Sequence, residues 1–173
     1  GEQIVEAIEA NTDKRGSAAR AYAIELLEQA EVPMPEDRLS KYPHQLSGGL
    51  CQRIVFAIAI SAKPDLIIAD EPTTALDVTT QAEILTLIAR LKAAHGLSVL
   101  FITHDFGVVA EIADRVAVMK EGVQVETGPT DEVLARPRHA YTRKLIAAIT
   151  PEARRPGTTA PAPILEARGL NLT

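Results

Sequence analysis

The sequence predicts an α/β fold with a parallel-sheet core and a helical part. Three observations carry this expectation. Leu66-Ile67-Ile68-Ala69 is a short continuous apolar run, the pattern of a parallel strand covered on both faces. A helical period follows at 79–94, with Ile84, Leu87, Ile88 and Leu91 on one stripe. A second apolar run fills 98–102, so strand, helix and strand alternate as in a parallel sheet with right-handed crossovers.

The remaining elements follow from local patterns. Ile4, Val5 and Ile8 place a helical pattern at the very start. At 18–31, Ala19, Tyr22, Ala23, Leu26, Leu27 and Ala30 share one helical stripe, and Pro33 and Pro35 end it. Ser47 is a good N-cap for a helix at 49–61, which reads as apolar nearly all round and is expected to be buried. Gly96 stops the 79–94 helix, and a short helix is expected at 106–113. Runs at 116–119 and 123–127 flank Glu121-Gly122, the best hairpin signal in the chain. Helices at 130–135 and 139–149 close the ordered part, in which His139, Tyr141 and Arg143 read as packing and surface residues. The Pro-, Ala-, Thr- and Arg-rich stretch 151–163 reads as a linker that includes the charge pair Arg154 and Arg155, and 164–173 begins a new strand-like alternation.

Composition narrows the function classes. The 173 residues are 46% hydrophobic, enough for a real core. A net charge of −5 and a pI near 5.4 argue against nucleic acid as the main partner. The single cysteine, Cys51, excludes an internal disulfide and suits a reducing compartment. The longest apolar stretch, 54–62, is less than half a bilayer span, and the opening residues show no secretory pattern.

Two short stretches carry chemistry. Ser47-Gly48-Gly49 precedes a helix, so it places unpaired backbone N–H groups at a helix N-terminus, a site for an anion such as phosphate. Capping by Ser47 uses the same groups and is compatible with it. Asp70-Glu71 lies where a buried strand meets its loop, the edge at which α/β folds place their chemistry, although an acidic pair alone is also an ordinary solvated turn. His104 stands at the corresponding end of the second strand, and Asp77 is equally an N-cap for the following helix.

Taken in order, Leu46-Ser47-Gly48-Gly49, Leu66-Ile67-Ile68-Ala69-Asp70-Glu71-Pro72, Ala75-Leu76-Asp77 and Ile102-Thr103-His104-Asp105 resemble the signature, Walker B, D-loop and switch-histidine motifs of ATP-binding cassette (ABC) ATPases. The resemblance covers residues 1–150. Tyr42-Pro43-His44-Gln45-Leu46-Ser47-Gly48-Gly49, Gly128-Pro129-Thr130-Asp131-Glu132-Val133-Leu134 and His139-Ala140-Tyr141-Thr142 are similar to the oligopeptide, dipeptide and nickel branch of bacterial importers. The fold this implies is part of a P-loop NTPase. Residues 1–50 would end its helical subdomain, 51–128 would belong to the catalytic subdomain, 129–150 would form a helical extension, and 164–173 would start a second, fused cassette.

The resemblance implies ATP and Mg2+ as cofactors. Asp70 would hold magnesium through water, because a hard octahedral cation keeps most of its waters. Glu71 would act as general base for, or orient, the water attacking the γ-phosphate, with a pKa raised by desolvation and by its carboxylate neighbour. Ser47, Gly48 and Gly49 would contact the γ-phosphate of an ATP held by another cassette, Asp77 would sit across that dimer interface, and His104 would sense hydrolysis. Leu50 and Cys51 depart from the family pattern, in which a glutamine and a long polar side chain are usual, and predict weaker electrostatic help to the phosphate. Cys51 reads as a small apolar residue rather than a reactive thiol.

No Gly-Lys dipeptide occurs in the 173 residues, so the Gly-x-x-x-x-Gly-Lys-Ser/Thr loop is not among them, and the piece alone is expected to be inactive. The function implied is an energising subunit for solute import at the cytoplasmic face of the bacterial inner membrane. Its partners would be a second cassette, two membrane permeases and, indirectly, an extracellular binding protein. The competing readings are a soluble cassette ATPase acting on DNA or ribosomes, and a non-catalytic partner piece. The acidic balance favours transport, with no nucleic-acid partner.

Overall fold

The computed structural model describes residues 1–149. In chain order it contains α1 (Glu2–Asn11), α2 (Gly16–Gln29), α3 (Pro35–Arg38), a 3-10 turn (Pro43–Gln45), α4 (Gly48–Ile60), β1 (Leu66–Asp70), α5 (Val78–His95) and β2 (Ser98–Ile102). It continues through α6 (Phe106–Ile112), β3 (Arg115–Lys120), β4 (Val123–Pro129), α7 (Thr130–Ala135) and α8 (Ala140–Ile149). The expected linker and second-cassette start at 151–173 lie outside the described residues. No helix among the described residues is long and apolar enough to cross a membrane.

One core joins the helices to the first strand. Ile4 and Ile8 of α1, Ala19, Ala23, Leu26 and Leu27 of α2, and Phe56, Ala57 and Ile60 of α4 are all buried in it. Ile67 of β1 and the expected stripe Ile84, Leu87, Ile88 and Leu91 of α5 complete it. Each helix contributes residues three and four positions apart, so burial rather than propensity fixes these helices.

The helix ends explain the chain reversals. α2 stops at Gln29, before Pro33 and Pro35, through two backbone bonds: Glu31 N–H donates to Glu28 O at 2.9 Å and Val32 N–H to Leu27 O at 2.9 Å. This is the left-handed helix-ending pattern that glycine usually serves, here with Glu31 at φ 55°. α5 ends more conventionally at Gly96, φ 64°. The Glu121-Gly122 hairpin forms as expected, with φ values of 51° and 78° that match the twist of the strands it joins.

β1 and β2 pair in parallel, Leu66 opposite Ser98 through Asp70 opposite Ile102, with α5 as the crossover. The expectation that both strands are covered on two faces does not hold. Ile67 and Ala69 pack inward, whereas Leu66, Ile68, Leu100 and Ile102 are exposed. The helical core covers one face, and no described element lies on the other, so a continuous apolar run here marks two faces of which one is open. α4 is also less uniform than its composition: Val55 is exposed while Arg53 is buried.

A glycine at Gly96 relieves backbone strain and touches nothing, since an added Cβ would meet no atom within 4 Å. Gly96→Ala should therefore lower stability by about 1 kcal/mol through the left-handed backbone alone. The denaturant midpoint should fall with an unchanged m-value.

Candidate functional site

The parallel register brings the carboxyl ends of β1 and β2 level, and the reactive residues stand just beyond them. Asp70 is the last residue of β1. Glu71 leaves the strand with φ 48°, yet its N–H still donates to Ile102 O at 2.9 Å, extending the pairing by one bond. This left-handed step turns the chain out of the sheet. Pro72 and Thr73 are buried beneath the turn, Thr74 N–H closes back to Glu71 O at 3.2 Å, and Ala75 adopts φ 66°.

The Glu71 carboxylate is held at both oxygens. His104 Nδ1 lies 2.7 Å from Oε1, and Thr74 Oγ1 donates to Oε2 at 2.8 Å. An ionised carboxylate only accepts, so the ring proton sits on Nδ1 in this pair. The Glu71 side chain is 37% exposed and that of His104 83% exposed. Glu71 therefore stands at the open carboxyl edge of the sheet and not in the packing beneath it.

This geometry reverses the expected pKa direction. Desolvation was expected to raise Glu71; instead hydrogen bonds from His104 and then Thr74 hold its carboxyl below the ordinary 4.5. The same Glu71 contact raises His104 above the ordinary 6.5. Lowering means that the Glu71 contribution is present above 4.5 and lost as pH falls through its depressed value. Raising means that the His104 contribution is full below 6.5 and lost as pH rises through its elevated value. The pair is thus complete between 4.5 and 6.5 and weakens on either side.

Two helix N-termini form the second half of the site. Ser47 caps α4, its Oγ accepting from Leu50 N–H at 3.3 Å, and the first backbone bond runs from Cys51 N–H to Ser47 O at 3.0 Å. The N–H groups of Gly48 and Gly49 have no acceptor among the described residues, which is the anion-seeking arrangement expected of them. Asp77 caps α5: Oδ1 accepts from Thr80 N–H at 2.9 Å and Oδ2 from Thr80 Oγ1 at 2.7 Å. These bonds hold the Asp77 carboxyl below its ordinary value.

The two N-termini touch. A Cβ on Gly48 would lie 3.2 Å from Leu76 Cδ2, and one on Gly49 would lie 2.6 Å from Thr80 Cγ2. Gly49 is therefore required by the packing of α4 on α5 as much as by an anion. Cys51 is half-buried with Sγ 3.6 Å from Pro43 O. Asp105, beside the histidine, caps α6 through Gly107 N–H at 2.8 Å.

Sequence patterns missed Thr74 and Thr80, the hydroxyls that hold Glu71 and Asp77. Both lie three residues after the acid they serve, the spacing of a turn or cap, which is the one signal that would have found them. No cluster of three metal-ligating side chains exists among the described residues. The Asp70 carboxylate is exposed and makes no hydrogen bond among them, which suits a cation held through water with its remaining oxygens supplied elsewhere.

Comparison with known proteins fits this geometry. The sequence model of the ABC transporter family matches residues 2–74, and that of the oligopeptide/dipeptide transporter C-terminal region matches 125–166. The chain carries part of an ABC transporter ATP-binding domain. It is 51% identical over 163 residues to the peptidoglycan transport ATP-binding protein YejF of Agrobacterium fabrum, covering 94% of this chain and 30% of that protein. It is 52% identical over 149 residues to the oligopeptide transport ATP-binding protein OppD of Bacillus subtilis, covering 86% and 42%. The glutathione import ATP-binding protein GsiA of Escherichia coli is 52% identical over 149 residues, covering 86% and 24%. The chain thus spans between about a quarter and two fifths of these relatives.

Solved structures agree with the fold. CbiO1 of Clostridium perfringens, part of the ABC transporter complex cbiONQ, superposes with a TM-score of 0.63 at 30% identity, over 75% of this chain and 51% of that one. The dimeric bacterial ABC transporter cassette MJ0796 gives 0.57 at 35% identity, over 68% and 49%. A further MJ0796 structure is a dimeric post-hydrolysis state bound to ADP and Pi.

Gly49→Ala should disturb the α4–α5 contact, and Thr80→Ser, which removes the opposing methyl and keeps the hydroxyl, should restore much of the loss. A double-mutant cycle on thermal midpoints measures that coupling. In a histidine NMR titration, Glu71→Gln should move the His104 midpoint down relative to the parent; an unmoved midpoint would deny the pair in solution.

Proposed function

We propose that the whole protein is an ATP-hydrolysing subunit that energises import of a peptide-type solute. The observation that carries this reading is the Glu71–His104 pair at the carboxyl edge of the parallel strands, in a chain whose relatives are peptide-transport and glutathione-import ATP-binding proteins. Magnesium-bound ATP would supply the triphosphate and a cation that offsets its charge.

The residue roles are as follows. Asp70 holds the cation through water, and Glu71 fixes the water that attacks the γ-phosphate. Its lowered pKa suits orientation of that water better than removal of its proton. His104 holds Glu71 in place and can exchange that bond for one to the γ-phosphate, which makes it a reporter of hydrolysis. Ser47, Gly48 and Gly49 turn their N–H groups to the γ-phosphate of an ATP held by a second cassette, and Asp77 lies at the same junction.

Two cassettes closing on ATP and reopening after hydrolysis would pass movement to two membrane permeases at the cytoplasmic face of the inner membrane. A binding protein outside the membrane would deliver the solute. The helical region 1–50 offers the permeases a surface and ends in Ser47, Gly48 and Gly49, and residues 51–128 carry Asp70, Glu71, Asp77 and His104.

In the full-length protein, Glu71→Gln should retain bound ATP and lower steady-state turnover by about a hundredfold or more. Unchanged turnover would remove Glu71 from the reaction. Purification from membranes should bring down two permeases; a freely soluble protein without them would argue against transport.

A further inference from the structure

We infer that Arg53 is a positioning residue, bridging Glu31 and Glu83 so that the N-termini of α4 and α5 move as one body. This rests on the reading that those N-termini face ATP.

Arg53 lies one helical turn beyond Gly49, in a helix otherwise rich in apolar residues, and its side chain is only 10% exposed. Its Nη1 donates to Glu31 Oε2 at 2.8 Å and to Ala30 O at 3.4 Å, while its Nη2 donates to Glu83 Oε2 at 3.0 Å. One guanidinium therefore ties α4 both to the end of α2 and to α5. A planar fork can serve two carboxylates on separate elements; an ammonium, as a point charge, does so poorly.

The partners are arranged for this contact. Glu31 occupies the left-handed helix-ending position at φ 55°, where glycine would cost the backbone less. The residue at this left-handed position carries the carboxylate that receives Arg53. Its other oxygen is bonded by Arg90 of α5, whose Nη2 also donates to Gln29 O at 2.8 Å. Glu83 lies one turn after Thr80, the residue that meets Gly49. The α4–α5 contact is thus fixed twice in succession: by close packing at Gly49 and Thr80, then by charge at Arg53 and Glu83.

Three variants of the full-length protein test this: Arg53→Met, which fills the same volume without charge; Glu31→Gly, which keeps the turn and removes the carboxylate; and Glu83→Gln, on an exposed side chain. Each is read in apparent melting midpoint, in the KM for ATP against kcat, and in ATP-driven dimerisation within a Glu71→Gln background. Replacing a partly buried ion pair by an apolar side chain is often neutral for stability. Midpoints should accordingly stay within about 3 °C of the parent for Arg53→Met, which leaves the half-exposed carboxylates of Glu31 and Glu83 to water, and fall further for Glu31→Gly and Glu83→Gln, each of which strips a buried guanidinium of one partner. The ATP concentration for half-maximal dimerisation should rise about fivefold or more, with KM rising alongside. Arg53→Met should do the same, and Arg53→Lys should recover only part of it.

Parent-like dimerisation and KM in Glu31→Gly and Glu83→Gln would overturn the inference, even if Arg53→Met failed to fold. Those results beside a dead Glu71→Gln enzyme would leave the proposed function standing. A Glu71→Gln enzyme that still turns over would remove both.

Discussion

The parallel pairing of β1 with β2 fixes where the chemistry-bearing side chains stand. Because Asp70 is opposite Ile102, the two strands end level, and the Glu71 N–H donates one more bond to the Ile102 carbonyl. Beyond that bond the chain turns at Glu71, φ 48°, and its carboxylate stands 2.7 Å from His104 Nδ1. Thr74 then closes the turn from the other side. The acid is held by groups drawn from three consecutive features of the fold: a strand, its turn and the neighbouring strand's exit.

The second constraint is the contact between α4 and α5. It has no room for a side chain at Gly49, and it carries a buried guanidinium one turn later. The consequence is that the amides at the head of α4 and the cap at the head of α5 have a fixed separation. The proposed site, divided between two cassettes, needs this property, because each half would have to arrive already shaped.

Most of the element order was legible in the sequence because helix stripes, caps and turn residues are local signals. The Glu121-Gly122 hairpin and the Gly96 stop are cases in which the backbone conformation requires those residues. What local signals could not carry was anything decided by approach from elsewhere. Burial of both sheet faces was read from a run of apolar residues, but the run does not say what covers them. Arg53 was passed over because a lone charge in an apolar helix has no partner in the local pattern; its partners lie 22 and 30 residues away. The direction of the Glu71 shift failed for the same reason, since the deciding donor, His104, is 33 residues distant. Glu126 is a further example: its carboxylate accepts the N–H groups of Arg138 at 2.7 Å and His139 at 3.0 Å, fastening the start of α8 to β4. The motifs themselves were legible as a set in order; the structure pairs Glu71 with His104 and packs the head of α4 on α5.

In the proposed function, the acid-bearing turn and the glycine-headed helix serve the same triphosphate from different cassettes. The most direct measurement is a structure of the full-length protein with a non-hydrolysable ATP analogue and magnesium. Glu71 should stand beside the γ-phosphate of one nucleotide, with the Gly48 and Gly49 amides donating to the γ-phosphate of the other. Nucleotide bound with those amides turned to solvent, or with Glu71 directed away from the γ-phosphate, would contradict it.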